Sequence, residues 1–201
     1  MARYGMVIDL NRCIGCQACT VACKVKNFTK PGIFWSWVLE EEAGEYPSVR
    51  RYSIPRLCMH CQNAPCMDAC PTGATYQQKD GLVLIDSDKC VGCKYCILAC
   101  PYGTRCFNEE EGGYFGEVFI PPEEIGYQQH RLGVVEKCDF CIDLLKGGQE
   151  PACVRVCPTQ ARYFGNLEAP GSEVSQLIRS KHGFQLLKEL GTDPSVYYLP
   201  M

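Results

Sequence analysis

The cysteines are the residues of this chain whose type and spacing most clearly imply chemistry. The chain has 17 of them among 201 residues, and all but Cys106 fall into four groups of four. In chain order, these groups are Cys13, Cys16, Cys19 and Cys23; Cys58, Cys61, Cys66 and Cys70; Cys90, Cys93, Cys96 and Cys100; and Cys138, Cys141, Cys153 and Cys157. Thiols spaced this closely can form disulfides, bind zinc or hold an iron–sulfur cluster.

The grouping separates these three alternatives. A disulfide framework is typical of short secreted chains, whereas this chain is long, its cysteines are grouped and its first residues do not resemble a signal peptide. Structural zinc usually takes its ligands from two separated pairs, and three thiols at Cys-x2-Cys-x2-Cys would crowd one side of a single ion. A [4Fe–4S] cluster is wide enough for one loop to bind three of its irons. The spacing therefore favours iron–sulfur clusters.

The last two cysteines of every group are four residues apart, which is about one turn of helix. The first and third groups have the complete spacing of bacterial ferredoxins, Cys-x2-Cys-x2-Cys-x3-Cys. A helical turn moves the fourth sulfur about 6 Å along the helix axis. It therefore reaches a neighbouring cluster rather than the cluster bound by the first three cysteines. We expect pairs of groups that exchange their fourth cysteine.

The residues between the second and third groups predict a β-hairpin. The stretches "TYQQ" (75–78) and "LVLID" (82–86) are typical of strands, and "KDG" (79–81) is typical of the turn between them. A hairpin would bring the two groups together. Residues 52–106 are therefore predicted to form an inner ferredoxin-like module.

The first and fourth groups resemble the two halves of a second such module. "VIDLNRC" before the first group matches "LIDSDKC" before the third, and "CPTQARYFG" after the fourth matches "CPTGATYQQ" after the second. We therefore expect a strand around Arg162–Phe164 to pair with a strand around Met6–Asp9. Residues 1–24 and 132–166 would then form an outer module.

The predicted fold class is α+β, with two pseudo-symmetric bacterial ferredoxin-like modules that are duplicated and permuted. Insertions at 25–51 and 107–131 interrupt the modules, and 167–201 is a C-terminal extension. Exchange of the fourth cysteine then predicts four ligand sets, each binding one [4Fe–4S] cluster. Set 1 is Cys13, Cys16, Cys19 and Cys157; set 2 is Cys23, Cys138, Cys141 and Cys153; set 3 is Cys58, Cys61, Cys66 and Cys100; and set 4 is Cys70, Cys90, Cys93 and Cys96.

Lys24 follows the first group at the position where the other three groups have proline. Proline prevents a helical turn from continuing, whereas lysine would let the helix run on through "TVACKVKNF". A cation beside cluster 2 could also raise its potential. Both explanations remain open from the sequence, and the structural one is favoured.

Few other residues suggest chemistry. His60 lies inside the second group, where the ligand count is already complete, and we expect it to pack beside a cluster. His130 and His182 are isolated and expected to be solvated. Cys106 is expected to be a buried neutral thiol. The chain has no phosphate-binding loop, haem motif or zinc-protease helix, so no catalytic residue and no direct small-molecule substrate are predicted.

The two insertions combine aromatic and acidic residues. They are either self-packing loops or surfaces for a protein partner, with Phe34, Trp35 and Trp37 as anchors. The C-terminal extension contains one predicted helix at 172–180. It ends in "SVYYLP", which we expect to lie extended on the body of the protein or on a partner.

Charge and hydropathy exclude two further classes. The net charge is −3 and the isoelectric point is near 5.7, which argues against nucleic-acid binding. No run of about 18 apolar residues is present, so no transmembrane segment is expected.

These motifs, from "MVIDLNRCIGC" to "CPTQARYFGNLEAP", cover most of the chain. The sequence resembles the four-cluster iron–sulfur subunits of molybdopterin oxidoreductases related to dimethyl sulfoxide reductase. "CPTGATYQQKDGLVLID" and "CPYGTR" are most similar to the polysulfide and thiosulfate reductase type, and "IPRLCMHCQNAPC" is also similar to the arsenate reductase type. Nitrate reductase relatives replace one cysteine of the third group by tryptophan and hold a three-iron cluster there, whereas this chain keeps Cys93.

The resemblance implies an electron-transfer subunit of an anaerobic respiratory complex. Its partners would be a large catalytic subunit with a molybdenum or tungsten bis-pterin centre, facing the cluster with Cys157, and a separate quinone-linked membrane anchor near the cluster with Cys70. The complex would be membrane-associated and co-exported on the signal of the catalytic subunit; a cytoplasmic location is the alternative. Two other functions remain open, a free-standing soluble polyferredoxin and a structural zinc module.

Overall fold

The chain combines short strands, paired mostly antiparallel, with short helices, as expected of the predicted α+β class. The computed structural model describes residues 2–109 and 111–201; Met1 and Glu110, which belong to the predicted ranges 1–24 and 107–131, lie outside the described residues. The elements in chain order are β1 Tyr4–Asp9, α1 Ala18–Asn27, β2 Ser36–Ala43, β3 Arg50–Leu57, α2 Pro65–Asp68, β4 Thr75–Gln77, β5 Val83–Ile85, α3 Tyr95–Leu98, β6 Cys106–Asn108, α4 Pro121–Gly126, β7 Val134–Glu136, α5 Ile142–Lys146, α6 Ala152–Arg155, β8 Arg162–Asn166, α7 Glu173–Ser180 and β9 Val196–Leu199.

Two strand pairs connect the cysteine groups as expected. β4 and β5 form an antiparallel hairpin between the second and third groups. β1 pairs antiparallel with β8, and Met6 lies opposite Phe164. This pairing joins the two ends of the chain that carry the first and fourth groups. Both predicted pairings are therefore present.

The C-terminal segment forms part of the sheet that contains β1. β9 pairs in parallel with β1, so the strand order is β8-β1-β9. Tyr198 on β9 is fully buried, and its hydroxyl donates a hydrogen bond to the Pro55 carbonyl over 2.7 Å. Ser172 caps α7, since its Oγ accepts the Ser175 N–H. The predicted helix is present, and "SVYYLP" lies on the body of this chain rather than extending away from it.

The first insertion is mainly the antiparallel β2–β3 hairpin. β3 begins at Arg50 and ends at Leu57, so it crosses the predicted boundary between 25–51 and the inner module and leads directly to Cys58. Trp35 is partly buried against the core, Trp37 is half-buried, and Phe34 is exposed. Trp35 therefore packs within the chain, Trp37 is partly covered, and Phe34 is the most exposed of the three aromatics.

The second predicted insertion, 107–131, begins within β6 and ends before β7, and these two strands pair antiparallel. Glu123 on α4 organises it, since its carboxylate accepts hydrogen bonds from the Tyr114 and Ile120 N–H groups over 2.9 and 3.0 Å. Phe115 and Val118 are 65% and 68% exposed. The insertion is therefore folded by its own polar contacts while presenting apolar side chains to solvent.

Candidate metal centres

Set 3 surrounds one cavity. Cys58, Cys61, Cys66 and Cys100 all line a space of about 320 Å³ that is free of protein atoms. Burial and then the nearby Cys58 thiol raise the pKa of Cys61 to about 12. The structure thus brings together three thiols from the second group and the fourth thiol of the third group.

Set 4 surrounds a second cavity of similar size. Cys70, Cys90, Cys93 and Cys96 line a space of about 310 Å³. Here the fourth cysteine of the second group lies with the first three of the third group. The two cavities together contain the reciprocal exchange that the spacing predicts.

Within set 1, and likewise within set 2, the thiols also influence one another. Burial raises the pKa of Cys13, and the Cys19 and Cys157 thiols raise it further. The pKa of Cys23 is raised to about 12, first by burial and then by the Cys153 and Cys141 thiols.

Cys138 belongs to the same neighbourhood as Cys23. Burial raises its pKa well above the ordinary value, and Cys23 is the next largest cause. Cys16 of set 1 is exposed. Each remaining thiol of sets 1 and 2 therefore interacts electrostatically with at least one thiol of its own predicted set.

The turns that carry the third and fourth cysteines repeat one geometry. The N–H of the fourth cysteine donates to a carbonyl three residues earlier, over 3.0 Å at Cys70, 3.2 Å at Cys100 and 3.2 Å at Cys157. Proline follows each of these residues and ends the turn. One turn of helix therefore moves the fourth thiol out of the loop that holds the first three.

Backbone N–H groups reach two of the fourth cysteines after the chain has turned. The Thr75 N–H donates to the Cys70 Sγ over 3.5 Å, and the Ala161 N–H donates to the Cys157 Sγ over 3.2 Å. Burial raises the pKa of Cys70, but these amide and neighbouring threonine contacts lower it by more, to about 7. Hydrogen bonds to sulfur favour the thiolate that binds iron.

The chemistry of these sites fits iron–sulfur clusters. In the part of the chain that the structure describes, no three metal-binding side chains converge on the position of a single ion; the thiols of sets 3 and 4 instead line cavity walls. Arg105, which lines the set 3 cavity, has a buried Nη2 without a hydrogen-bond partner. A group with its own acceptors, such as the sulfides of a cluster, would satisfy this nitrogen.

The ligand sets differ in their exposure. All four cysteines of set 2 are buried, as are three of set 3. Sets 1 and 4 each contain one exposed cysteine, Cys16 and Cys93. Two sites are therefore enclosed by the protein, and two reach its surface.

Lys24 acts structurally. α1 continues past it to Asn27, and its ammonium group donates hydrogen bonds to Thr29 Oγ1 and to the carbonyls of Thr29, Lys30 and Ile33, over 2.9 to 3.2 Å. Lysine at this position therefore extends the helix and closes the loop that follows it.

Replacing Lys24 by methionine should destabilise the protein. Hydrogen bonds from a charged donor contribute about 2 kcal/mol, so we expect the anaerobic unfolding midpoint to fall by about 4–8 °C. Lys26→Met is the matched control on the same helix. Lys26 forms a surface ion pair with Asp143, over 2.7 Å, worth less than about 1 kcal/mol. Equal shifts in the two variants would contradict the role given to Lys24.

His130 is not solvated, so that prediction is wrong. Its side chain is 5% exposed, because the 107–131 segment folds back over α1. Nδ1 lies 2.8 Å from Glu136 Oε1, and Nε2 lies 2.6 Å from the Asn27 carbonyl. A carboxylate and a carbonyl only accept hydrogen bonds, so these surroundings favour a protonated ring that donates from both nitrogens.

This pair makes stability depend on pH. Burial lowers the pKa of His130, but the hydrogen bond and charge of Glu136 raise it by more, so the folded pKa lies above 6.5. The resulting stabilisation is complete below the unfolded pKa and is lost as pH rises through the folded pKa. We expect the unfolding midpoint to fall across that window, and His130→Asn to flatten the profile. An unchanged slope in the variant would exclude the pair as its origin.

Asn27 connects α1 to a predicted ligand. Its Nδ2 donates to Cys23 Sγ over 3.4 Å and to the Cys23 carbonyl over 3.0 Å. Sequence reasoning missed this residue, although an asparagine four residues after a cysteine on a helix would lie above it. It provides set 2 with a side-chain hydrogen bond to sulfur.

The remaining single residues largely match expectation. His60 is fully buried, its Nδ1 accepts the Val83 N–H over 3.1 Å, and its ring stacks on Phe140 at 3.9 Å. Cys106 is half-buried and donates to the Phe34 carbonyl over 3.3 Å, and burial raises the pKa of its thiol. His182 is exposed.

Comparison with known proteins gives the same chemistry. A family model described as a 4Fe-4S dicluster domain matches residues 49–115 and 120–167, and a second model of that description matches 12–74. A selenate reductase subunit of Mesobacillus selenatarsenatis is 44% identical over 96% of this chain and 70% of its own length. The iron–sulfur subunit of the arsenate respiratory reductase of Shewanella sp. is 41% identical, over 98% of this chain and 96% of that protein.

A third relative is named for a different activity. A sulfite dehydrogenase subunit of Allochromatium vinosum is 39% identical over the whole of this chain and 84% of its own length.

None of the helices among the described residues is long and apolar enough to cross a membrane.

Proposed function

Because this chain belongs to the family of four-cluster, ferredoxin-like iron–sulfur subunits of molybdopterin oxidoreductases, we propose that it connects a molybdopterin catalytic subunit to a quinone-linked membrane subunit. It is a non-catalytic electron-transfer subunit, and its cofactors are four [4Fe–4S] clusters. When bound, such clusters accept and donate single electrons at potentials that their protein surroundings set.

We assign the four clusters to sets 1 to 4. The cavities of sets 3 and 4 support this assignment, because each is lined by the four cysteines of one set. The proximity of the thiols in sets 1 and 2 supports the other two. Proline ends three of the four helical turns that carry these ligands. In the first group, Lys24 instead continues the turn into α1.

The proposed architecture is two duplicated ferredoxin-like modules, one permuted around the other. The inner module is 52–106, and the outer module is 1–24 with 132–166. The β4–β5 hairpin supports the first, and the β1–β8 pair supports the second. The 167–201 segment adds β9 to the outer sheet.

The observation that carries the proposal is the pattern of exposure along the four sets. Electron transfer to a partner needs a site near the surface, whereas transfer within the chain benefits from exclusion of water. Cys16 and Cys93 are exposed and belong to sets 1 and 4, while set 2 and most of set 3 are buried. Electrons would therefore enter at one exposed set, cross the two buried ones and leave at the other.

Apolar side chains adjoin both exposed sets. Beside set 1, Val21 and Val25 on α1 are 59% and 66% exposed. They line one groove against α6 that includes Cys16, and another against the 107–131 insertion. We assign this face, with the insertion, to the catalytic subunit. Beside set 4, Tyr95 and Leu98 are 59% and 82% exposed, and this face would receive the second partner.

The location follows from the partners in this proposal. The chain would be membrane-associated through the quinone-linked subunit, on the extracytoplasmic side after export with the catalytic subunit. The reaction catalysed would be set by the catalytic subunit, since the three relatives are named for selenate, arsenate and sulfite.

Anaerobic purification from the native host, with a tag on this chain, tests the proposal. We expect about sixteen irons per chain and a large molybdenum or tungsten protein in the same fractions. Sixteen irons without a partner would indicate a free-standing polyferredoxin. A preparation that holds zinc instead of iron would contradict the electron-transfer function.

A further inference from the structure

Three cationic side chains are buried among the predicted ligands. Arg105, Lys137 and Arg162 are 6%, 4% and 2% exposed. Among the residues that the structure describes, none of the three forms an ion pair with a carboxylate. A buried charge is costly unless an opposite charge lies beside it. The anions nearby are the Asp139 carboxylate, which interacts with Lys137 from beyond ion-pair distance, and the thiolate ligands with the clusters that they bind.

Arg105 lies between sets 3 and 4. Its side chain lines the set 3 cavity, and its Nη1 donates to Thr75 Oγ1 over 3.1 Å. Thr75 lines the set 4 cavity. Burial raises the pKa of both Cys66 and Cys96, and Arg105 is the strongest opposing influence on each. One guanidinium group therefore adjoins a ligand of each set.

Arg162 occupies the equivalent place between sets 1 and 2. It begins β8, five residues after Cys157, as Arg105 lies five residues after Cys100. Its Nη2 donates to Ser36 Oγ over 3.3 Å. Burial lowers its pKa, but Cys153 of set 2 and Cys19 of set 1 raise it by more, so the net shift is upward. This buried guanidinium group therefore interacts electrostatically with a ligand of each neighbouring set.

Lys137 lies between sets 2 and 3. Its Nζ donates to the carbonyl of Cys138, a set 2 cysteine, over 2.8 Å, and to the Val83 carbonyl. Val83 lines the set 3 cavity. Beside Lys137, the ring of His60 in the inner module stacks on the ring of Phe140 in the outer module. Lys137 therefore bridges the junction between the outer and inner modules.

We propose that Arg162, Lys137 and Arg105 are potential-setting residues, each placed at one junction in the order of clusters 1-2-3-4 and each stabilising the reduced state of the two clusters beside it. The inference rests on the proposed ligand sets. Reduction adds negative charge to a cluster, and a fixed cation in a low-dielectric interior favours that state. A cation beside two clusters raises the reduction potentials of both. The two clusters then stay close in potential, so an electron can pass from one to the other.

The proposal predicts a different pair of affected clusters for each charge removed. Arg162→Gln should lower the potentials of clusters 1 and 2, Lys137→Met those of clusters 2 and 3, and Arg105→Gln those of clusters 3 and 4. We expect the ratio of reduced to oxidised cluster at a fixed potential to fall about tenfold, which is about 59 mV for one electron. Redox titration followed by low-temperature EPR measures all four clusters, with signals assigned through cysteine variants.

Two controls separate charge from folding. Arg131→Gln removes a surface cation, whose side chain is 56% exposed, and should shift none of the four potentials. Arg105→Lys keeps the charge and should retain most of the native potential. Where a neutral variant fails to hold iron, Thr75→Val and Ser36→Ala remove only the hydroxyl that positions the arginine. They should produce smaller shifts in the same pair of clusters.

The outcomes distinguish this proposal from the function on which it rests. Unchanged potentials in the three variants, or an equal shift of all four clusters in each, would overturn the potential-setting role. A native chain with fewer than four [4Fe–4S] signals would instead contradict the proposed ligand sets. The expected result is that each substitution lowers the potentials of the two clusters beside the substituted residue and leaves the other two unchanged.

Discussion

Cys70→Ala should abolish or convert cluster 4 and leave cluster 3 intact, although Cys70 belongs to the same sequence group as three ligands of cluster 3. The structure places the Cys70 side chain in the cavity lined by Cys90, Cys93 and Cys96. Removing one of four thiolates either prevents assembly or leaves a three-iron cluster. Iron analysis should therefore show a loss of about one to four of about sixteen irons.

The control for Cys70→Ala is the same substitution at Cys100, the fourth cysteine of the third group. Cys100→Ala should remove cluster 3, since Cys100 lines the other cavity with Cys58, Cys61 and Cys66. The EPR signal lost in Cys70→Ala should match the signal lost in Cys96→Ala. A match with Cys66→Ala instead would mean that each group binds its own cluster, and the exchange of fourth cysteines would be wrong.

Val25→Glu should separate this chain from the catalytic subunit. Val25 is 66% exposed and borders both grooves beside α1. A carboxylate placed in the middle of an apolar interface is desolvated without a partner, so we expect binding to weaken at least 100-fold, about 3 kcal/mol. Affinity measured between the separately purified subunits, or their loss of co-purification, provides the readout.

Leu98→Glu makes the same kind of change on the other face. Leu98 is 82% exposed on α3, beside set 4, so the variant should retain the catalytic subunit and lose affinity for the second partner. Both variants should keep their full iron content, which excludes misfolding as the cause. Retained catalytic-subunit binding in Val25→Glu, with loss in Leu98→Glu, would reverse the assignment of the two faces.

The elements nearest the cysteines are predictable because their spacing reflects local geometry. The Cys-x3-Cys turns and the β4–β5 hairpin depend on contacts within a few residues, and both are present. The β1–β8 pair is a long-range contact, yet it could be inferred because Met6–Asp9 and Arg162–Phe164 repeat the flanks of the inner groups. Because the same short flanking sequences recur in both places, the pairing of two distant strands could be predicted by comparing short segments.

The wrong and the incomplete predictions concern residues whose surroundings come from distant segments. The polar neighbours of His130 in sequence predict a solvated ring, but the 107–131 segment folds over α1 and brings it against the Asn27 carbonyl. β9 pairs with β1 across almost the whole chain. No periodicity in "SVYYLP" specifies which strand it joins, so only its extended conformation could be predicted.

The buried cations were missed although part of the signal was visible. "CPYGTR" and "CPTQAR" both place an arginine five residues after a shared cysteine. A basic residue in a short sequence motif is ordinarily a surface residue. Its burial depends on two ligand sets that close around it from different parts of the chain. Lys137 adjoins Cys138 in sequence, but its contact with Val83 joins residues that are 54 positions apart in the chain.

Rapid-freeze EPR on the complex of this chain with its catalytic subunit tests the central claim most directly. The pre-reduced complex is mixed with the oxidised substrate of the catalytic subunit, or the oxidised complex with its reduced substrate, and frozen at successive times. We predict that all four cluster signals change within turnover, and that Cys93→Ala leaves the change in clusters 1 to 3 intact while removing that of cluster 4. Turnover that leaves the clusters of this chain unchanged would contradict its role as the electron path.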